Sequence, residues 1–133
     1  MANTTFSGPV RSENGFEQVT KNATTGAFTT NATYNSGIIG GVQSLSGAGA
    51  VDTTNLVTEI TTTGADALTL ANGSVGQIKI ITMIVDGGNG TLTPTTFANG
   101  STITFDAVNE TVCLLYANTI GWVVVSNSGA TVA

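Results

Sequence analysis

From Gly37 onward the apolar residues fall into short runs, and each run ends at a turn signal built from glycine, asparagine or aspartate. That punctuation constrains the fold more than any other feature, because runs of about four to eight residues can cross a sheet but are too short for a helix. The clearest are Leu56 to Thr62, Ala67-Leu68-Thr69-Leu70, Gln77 to Val85, Thr102-Ile103-Thr104-Phe105, Thr111 to Tyr116 and Trp122-Val123-Val124-Val125. No stretch keeps apolar residues at i, i+3, i+4 and i+7 beside charged ones, and Lys plus Arg number only 3 in 133 residues. The sequence therefore predicts an all-β chain. Residues 37–133 are expected to form an antiparallel β-sandwich or jelly-roll-like barrel, and residues 1–36 an extended N-terminal arm.

Turn chemistry refines the expectation. Asn99-Gly100 is the strongest short hairpin signal in the chain, because both residues tolerate positive φ. Asp86-Gly87-Gly88-Asn89-Gly90 predicts a hairpin into Thr91-Leu92-Thr93, with Pro94 marking an edge or a strand end. Connections this short after Gly90 imply antiparallel meander or hairpin pairing rather than helical crossovers. The longest and most apolar strand, Gln77 to Val85, has apolar residues on both faces. Such a strand is central, or one of its faces meets a neighbouring subunit.

The first 36 residues differ in character. Phe6, Pro9-Val10, Phe16, Val19, Phe28 and Tyr34 stand singly among Asn, Thr, Ser and Gly, and Arg11 and Lys21 supply most of the positive charge. Isolated apolar residues cannot form a core, but they suit an arm laid across another surface, each side chain filling a pocket while the backbone adds to a sheet edge.

Several functional classes are excluded by composition. A net charge of -5 with 3 basic residues offers no cluster to neutralise phosphates, so no nucleic-acid partner is expected. The longest apolar run falls far short of the ~20 residues that span a bilayer, so no membrane association is expected. Met1-Ala2-Asn3-Thr4-Thr5-Phe6 lacks a basic, then apolar export pattern, which predicts synthesis in the cytoplasm. Without histidine, and with Cys113 as the single cysteine, intrachain disulfides and imidazole or thiolate metal sites are ruled out. Cys113, inside Val112-Cys113-Leu114-Leu115-Tyr116, reads as a small buried hydrophobe.

Catalysis requires convergent groups whose protonation or nucleophilicity can be tuned, and the carboxylates Asp86, Asp106 and Glu110 all sit at predicted turns. Asp86 to Gly90 lacks the ligand spacing and closing Glu of a calcium loop, and no Lys follows it as in a phosphate loop. The sequence thus predicts no enzyme, no cofactor, and neither catalytic nor metal-binding residues. Ile78, Ile80, Met83, Ile103, Phe105, Leu114 and Trp122 are the candidates for the core or a subunit interface.

Leu68-Thr69-Leu70 with Gly76-Gln77-Ile78-Lys79, then Gly90-Thr91-Leu92-Thr93-Pro94, Thr102-Ile103-Thr104-Phe105, and Val112-Cys113-Leu114-Leu115-Tyr116 to Trp122-Val123-Val124-Val125, resembles a β module of structural proteins in marine tailed phages. Phe6-Ser7-Gly8-Pro9-Val10-Arg11-Ser12 with Asn14-Gly15-Phe16 is similar to the leader of small virion proteins, head decoration proteins among them. The resemblance implies a capsid decoration or cement protein on the outer surface of the phage head. It would clamp subunits of the major capsid protein as a homo-oligomer, a trimer being favoured. Phe6, Pro9, Val10, Arg11 and Phe16 are then the candidates for capsid contact. The same module also looks like parts of tail fibres and appendages, so a fibre, knob or receptor- or glycan-binding module is the alternative. That alternative expects Tyr116 and Trp122 exposed as a sugar platform, whereas the cement reading expects them buried.

Overall fold

The computed structural model describes residues 16–34 and 38–133, which form thirteen β-strands and, among those residues, no helix. Two compact units divide between Ile39 and Gly40.

In the first unit, β1 (Phe16–Lys21), β2 (Phe28–Tyr34) and β3 (Ile38–Ile39) pair antiparallel in the order β1-β2-β3. Asn22 closes the β1–β2 turn: its side-chain oxygen accepts from the Thr24 and Thr25 N–H groups at 2.8 and 3.0 Å, and Gly26 takes a φ of +73°. Lys21 lies over the Phe28 ring, 5.7 Å from its centroid. None of the side chains described in this unit is buried, and Phe28 is 65% exposed. The described part of the expected arm is therefore sheet. Phe6, Pro9, Val10 and Arg11 lie outside the described residues, and Phe16 opens β1.

The second unit is a sandwich of two five-stranded sheets. After β4 (Val42–Ser46), the chain crosses to the opposite sheet at β5 (Gly49–Val51), returns for β6 (Val57–Thr61), crosses again at β7 (Asp66–Leu70), and repeats this with β8 (Ile78–Val85) and β9 (Gly90–Pro94). Three successive coils result, with β4, β6 and β8 parallel in one sheet and β5, β7 and β9 parallel in the other. The antiparallel part follows. β10 (Ile103–Phe105) and β13 (Thr131–Val132) extend the sheet of β9, while β11 (Thr111–Ala117) and β12 (Gly121–Ser128) extend that of β8.

The sandwich is thus mixed, and only its C-terminal half is the antiparallel arrangement that short connections suggest. The glycine-dense turn after Val85 does not close a hairpin, because β8 and β9 belong to different sheets. It carries the chain over the edge of the sandwich: Gly87 and Gly88 pass so close to the Thr62 to Gly64 backbone that a β-carbon on either would collide with it. Such a crossover of four residues, Asp86 to Asn89, replaces the helix that joins parallel strands elsewhere, and it is possible because consecutive strands lie in facing sheets rather than in one. Asn99-Gly100 does lie between antiparallel neighbours, β9 and β10.

Alternation inside each strand fills the core. Ile60, Ile81, Met83, Val112, Leu114 and Trp122 point inward from one sheet, and Val51, Leu68, Leu70, Leu92, Ile103 and Phe105 from the other. Cys113, expected in this core, instead lies half-buried on the opposite side of β11 from Val112 and Leu114, because strand parity turns it outward.

The β11–β12 turn ends at Gly121, whose φ is +81° and whose missing side chain lets it pack directly on the Thr96 carbonyl. Gly121→Ala is expected to lower stability by about 1–3 kcal/mol, from strain and collision together. Gly64→Ala, with open space around it, is expected to stay within about 0.5 kcal/mol of the parent. Urea melts of both variants measure the difference.

Candidate interaction surfaces

Because side chains alternate along each strand, every sheet of the sandwich has one face in the core and one face outside, and the two outer faces differ in chemistry. On the sheet of β5, β7, β9, β10 and β13, the outward residues are Ala50, Ala67, Thr69, Thr91, Thr93, Thr104 and Thr131. Thr131, Thr104, Thr91 and Ala67 stand side by side across four strands. Methyl and hydroxyl groups cover this face, and water can satisfy it.

The other sheet presents hydrocarbon. Val42, Val57, Ile80 and Cys113 form one cross-strand row over β4, β6, β8 and β11. Ile78, Leu115 and Val123 form the next, over β8, β11 and β12. Ile78 is 49% exposed, Val42 53% and Val125 62%. Beside these rows runs a polar one, Ser44, Glu59, Thr82 and Thr111, in which the Thr111 hydroxyl donates to that of Thr82 at 2.8 Å. Glu59 is the one charged residue among the outward positions of these five strands.

The core or interface candidates thus separate by strand parity. Met83, Ile103, Phe105, Leu114 and Trp122 are fully buried, whereas Ile80 is half-buried and Ile78 exposed, both on the outer face. Trp122 donates its indole N–H to the Ala71 carbonyl at 2.9 Å and meets Tyr116 edge-to-face at 5.1 Å. With its ring inside the sandwich, Trp122 offers no face to a sugar.

Between the sheets lies a polar group that sequence patterning did not single out. Lys79, the one basic residue of this unit, points inward from β8 and is fully buried. Its ammonium donates to the Asn55 carbonyl at 2.8 Å and stands 3.6 Å from Asp52 Oδ1. Asp52 in turn accepts from the Asn55 N–H at 2.8 Å, the Asn55 side-chain amide at 2.6 Å and the Thr54 N–H at 3.1 Å. Burial lowers the Lys79 pKa, and the attraction of Asp52 opposes it only in part. For Asp52, burial acts upward, but the Asn55 and Thr54 hydrogen bonds and the Lys79 charge outweigh it and hold the carboxyl below its ordinary value. Sealed from solvent, the amine anchors the β5–β6 connection against β8. Gln77 reinforces the anchor by donating to the Thr53 carbonyl.

Among the described residues no group of three or more metal-ligating side chains converges. Asp86 accepts from the Gly88 N–H at 2.9 Å, and Glu110 accepts from the Asp106 N–H at 2.7 Å, so each closes its own turn. The surface that distinguishes this molecule is the hydrocarbon outer face. Neither a family model nor a curated protein matches the sequence.

Proposed function

We propose that the protein is a structural virion protein of a tailed phage, a capsid decoration or cement protein that binds the outside of the head and steadies contacts between subunits of the major capsid protein. The observation that carries this reading is the surface itself: a hydrocarbon face on a sandwich, with Glu59 as its one charge, joined in one chain to a sheet whose described side chains all lie at the surface. Large exposed apolar areas mark sites of association. The resemblance of Leu68 to Val125 and of Phe6 to Phe16 to phage virion modules supplies the particle.

The mechanism is linkage rather than chemistry. A protein that binds only the assembled lattice stabilises that lattice by mass action, and contacts from two units of one chain raise avidity without strong affinity at either. Phe6, Pro9, Val10, Arg11 and Phe16 remain the proposed capsid contacts. A glycan-binding fibre module is the less favoured reading, because the buried Trp122 cannot serve as the platform it requires.

Electron microscopy of purified particles with gold-labelled antibody against this chain tests the assignment. Regular label over the heads is the expected result, and label confined to tails would overturn it.

A further inference from the structure

Lys79 is more than an anchor between the sheets requires. A buried ion pair can be replaced by hydrocarbon of similar volume with little loss or with gain, so a methionine at position 79 would serve the packing at least as well. What the amine adds is a nucleophile, held in one place and shielded from water. Its surroundings supply an electrophile and a proton carrier to match. The Asp52 carboxylate stands between two nitrogens: Oδ1 is 3.6 Å from Lys79 Nζ, and Oδ2 accepts from Asn55 Nδ2 at 2.6 Å. Nζ also donates to the main-chain carbonyl of that same Asn55 at 2.8 Å.

The backbone keeps these three residues in register. Gln77 donates to the Thr53 carbonyl, and the Ile80 N–H donates to the Leu56 carbonyl at 2.9 Å, so the chain on both sides of Asn55 is tied to the chain on both sides of Lys79. The Asn55 side chain packs on Gly41, where a β-carbon would collide with its Oδ1. With the main chain fixed, side-chain rotation is what brings the amine to the carboxamide carbon. Burial disfavours the Lys79 ammonium and so favours the neutral amine, while Asp52, held below its ordinary pKa, is present as the carboxylate that can take the proton. Confinement of this kind can raise the effective concentration of one group at another to about 10⁵ M or more, enough to bring an ordinarily inert amide into reaction.

We propose that Lys79 and Asn55 become joined by a covalent side-chain amide, formed by the folded chain itself with Asp52 as proton carrier. Asp52 takes a proton from the Lys79 ammonium, the freed Nζ lone pair attacks Asn55 Cγ, and the Cγ–Nδ2 bond breaks as the proton passes to Nδ2. Nζ gives up two protons in all, both leave on Nδ2 as ammonium, and Asp52 ends as it began. Asp52 and Asn55 are half-buried, which gives the product a way out. The bond staples β8 to the β5–β6 connection. Newly folded protein holds the free pair, and the bond accumulates with age, because Nζ starts as a protonated donor to the Asn55 carbonyl. The inference stands on the sandwich alone and does not depend on where in a particle the protein resides.

Trypsin reads the bond directly. Lys79 is the only Lys or Arg after Lys21, so digestion of the denatured chain divides residues 22–133 at Lys79 only while that amine is free. The full chain is aged in neutral buffer and followed by intact mass spectrometry and by digestion. The parent is expected to lose the mass of one ammonia and, in step, its cleavage after Lys79. Asn55→Ala is expected to be cut there at every age, and Asp52→Ala to lose cleavage roughly 100-fold more slowly than the parent. Circular dichroism verifies the fold of each, and the parent's mass and digest decide the bond whether or not either variant folds. A parent that keeps its mass and is still cut overturns the proposal. Loss of ammonia with Lys79 still cut overturns it too, by placing the loss at a cyclised asparagine such as Asn72 before Gly73. Loss of water with Lys79 protected would join it to Asp52 instead, and protection that persists in Asn55→Ala would put the electrophile elsewhere; either result overturns the assignment. Asp52→Ala reacting at the parent's rate overturns the proton-carrier step.

Discussion

Trp122→Ala is expected to cost about 3–5 kcal/mol and to lower Tm on the order of 15–30 °C, close to the whole stability of many domains of this size. The magnitude follows from what the side chain joins. Its ring is fully buried on β12, its edge packs on Gly73 so tightly that a β-carbon there would collide with it, and its N–H satisfies the Ala71 carbonyl at 2.9 Å. Its backbone pairs with the β9–β10 connection, accepting from Ala98 and donating to Thr96, both at 2.9 Å. One residue therefore pins two long loops to the last hairpin. Trp122→Phe should recover most of the packing but leave the Ala71 carbonyl unpaired, a loss of about 1–3 kcal/mol. Urea denaturation followed by circular dichroism distinguishes the three proteins. If Trp122→Ala left stability unchanged, the ring could not be the keystone described here.

The strands of the sandwich were legible because β structure writes itself as alternation and punctuation, and each run named above overlaps an observed strand. Pairing was not legible in the same way. Asp86-Gly87-Gly88-Asn89-Gly90 has the composition of a hairpin turn, and nothing in those five residues distinguishes a return along the same sheet from a step to the facing one. What decides is the close approach of Gly87 and Gly88 to the Thr62–Gly64 backbone, a contact more than twenty residues away in sequence.

Parity in β8 was obscured for a different reason. In Ile78-Lys79-Ile80-Ile81-Thr82-Met83 a lysine ordinarily marks the wet side, which would place Ile78 and Ile80 in the core. The reverse holds because Lys79 finds Asp52 and the Asn55 carbonyl inside the sandwich. Cys113 turns outward by the same parity, opposite Ile80. The hydrocarbon face was therefore present in the sequence, but Ile78 and Ile80 stood undivided from Met83 and Leu114 among the candidates for the core or a subunit interface.

That buried lysine gives the second large effect. Asp52→Ala is expected to destabilise the protein by about 3 kcal/mol at neutral pH, since it strands a buried ammonium and removes the acceptor of three hydrogen bonds in the β5–β6 connection. Asp52→Ala/Lys79→Met should be more stable than Asp52→Ala, because an apolar side chain in that slot leaves no charge to compensate. The pH dependence tests the cause. The folded-state pKa of Asp52 lies below 3.8, so its contribution is present above that value and is lost as pH falls through the folded pKa. For Lys79 the folded pKa lies below 10.5, so between the two values the unfolded chain holds more protons and stability rises with pH. Without Asp52 the lysine loses the interaction that raises its pKa, and it sheds its proton at lower pH than in the parent. The deficit of Asp52→Ala relative to the parent should therefore shrink as pH is raised from 7 toward 10. Urea midpoints for the two proteins across that range measure it. A deficit that stays constant would assign the loss to the hydrogen bonds of the connection rather than to the stranded charge.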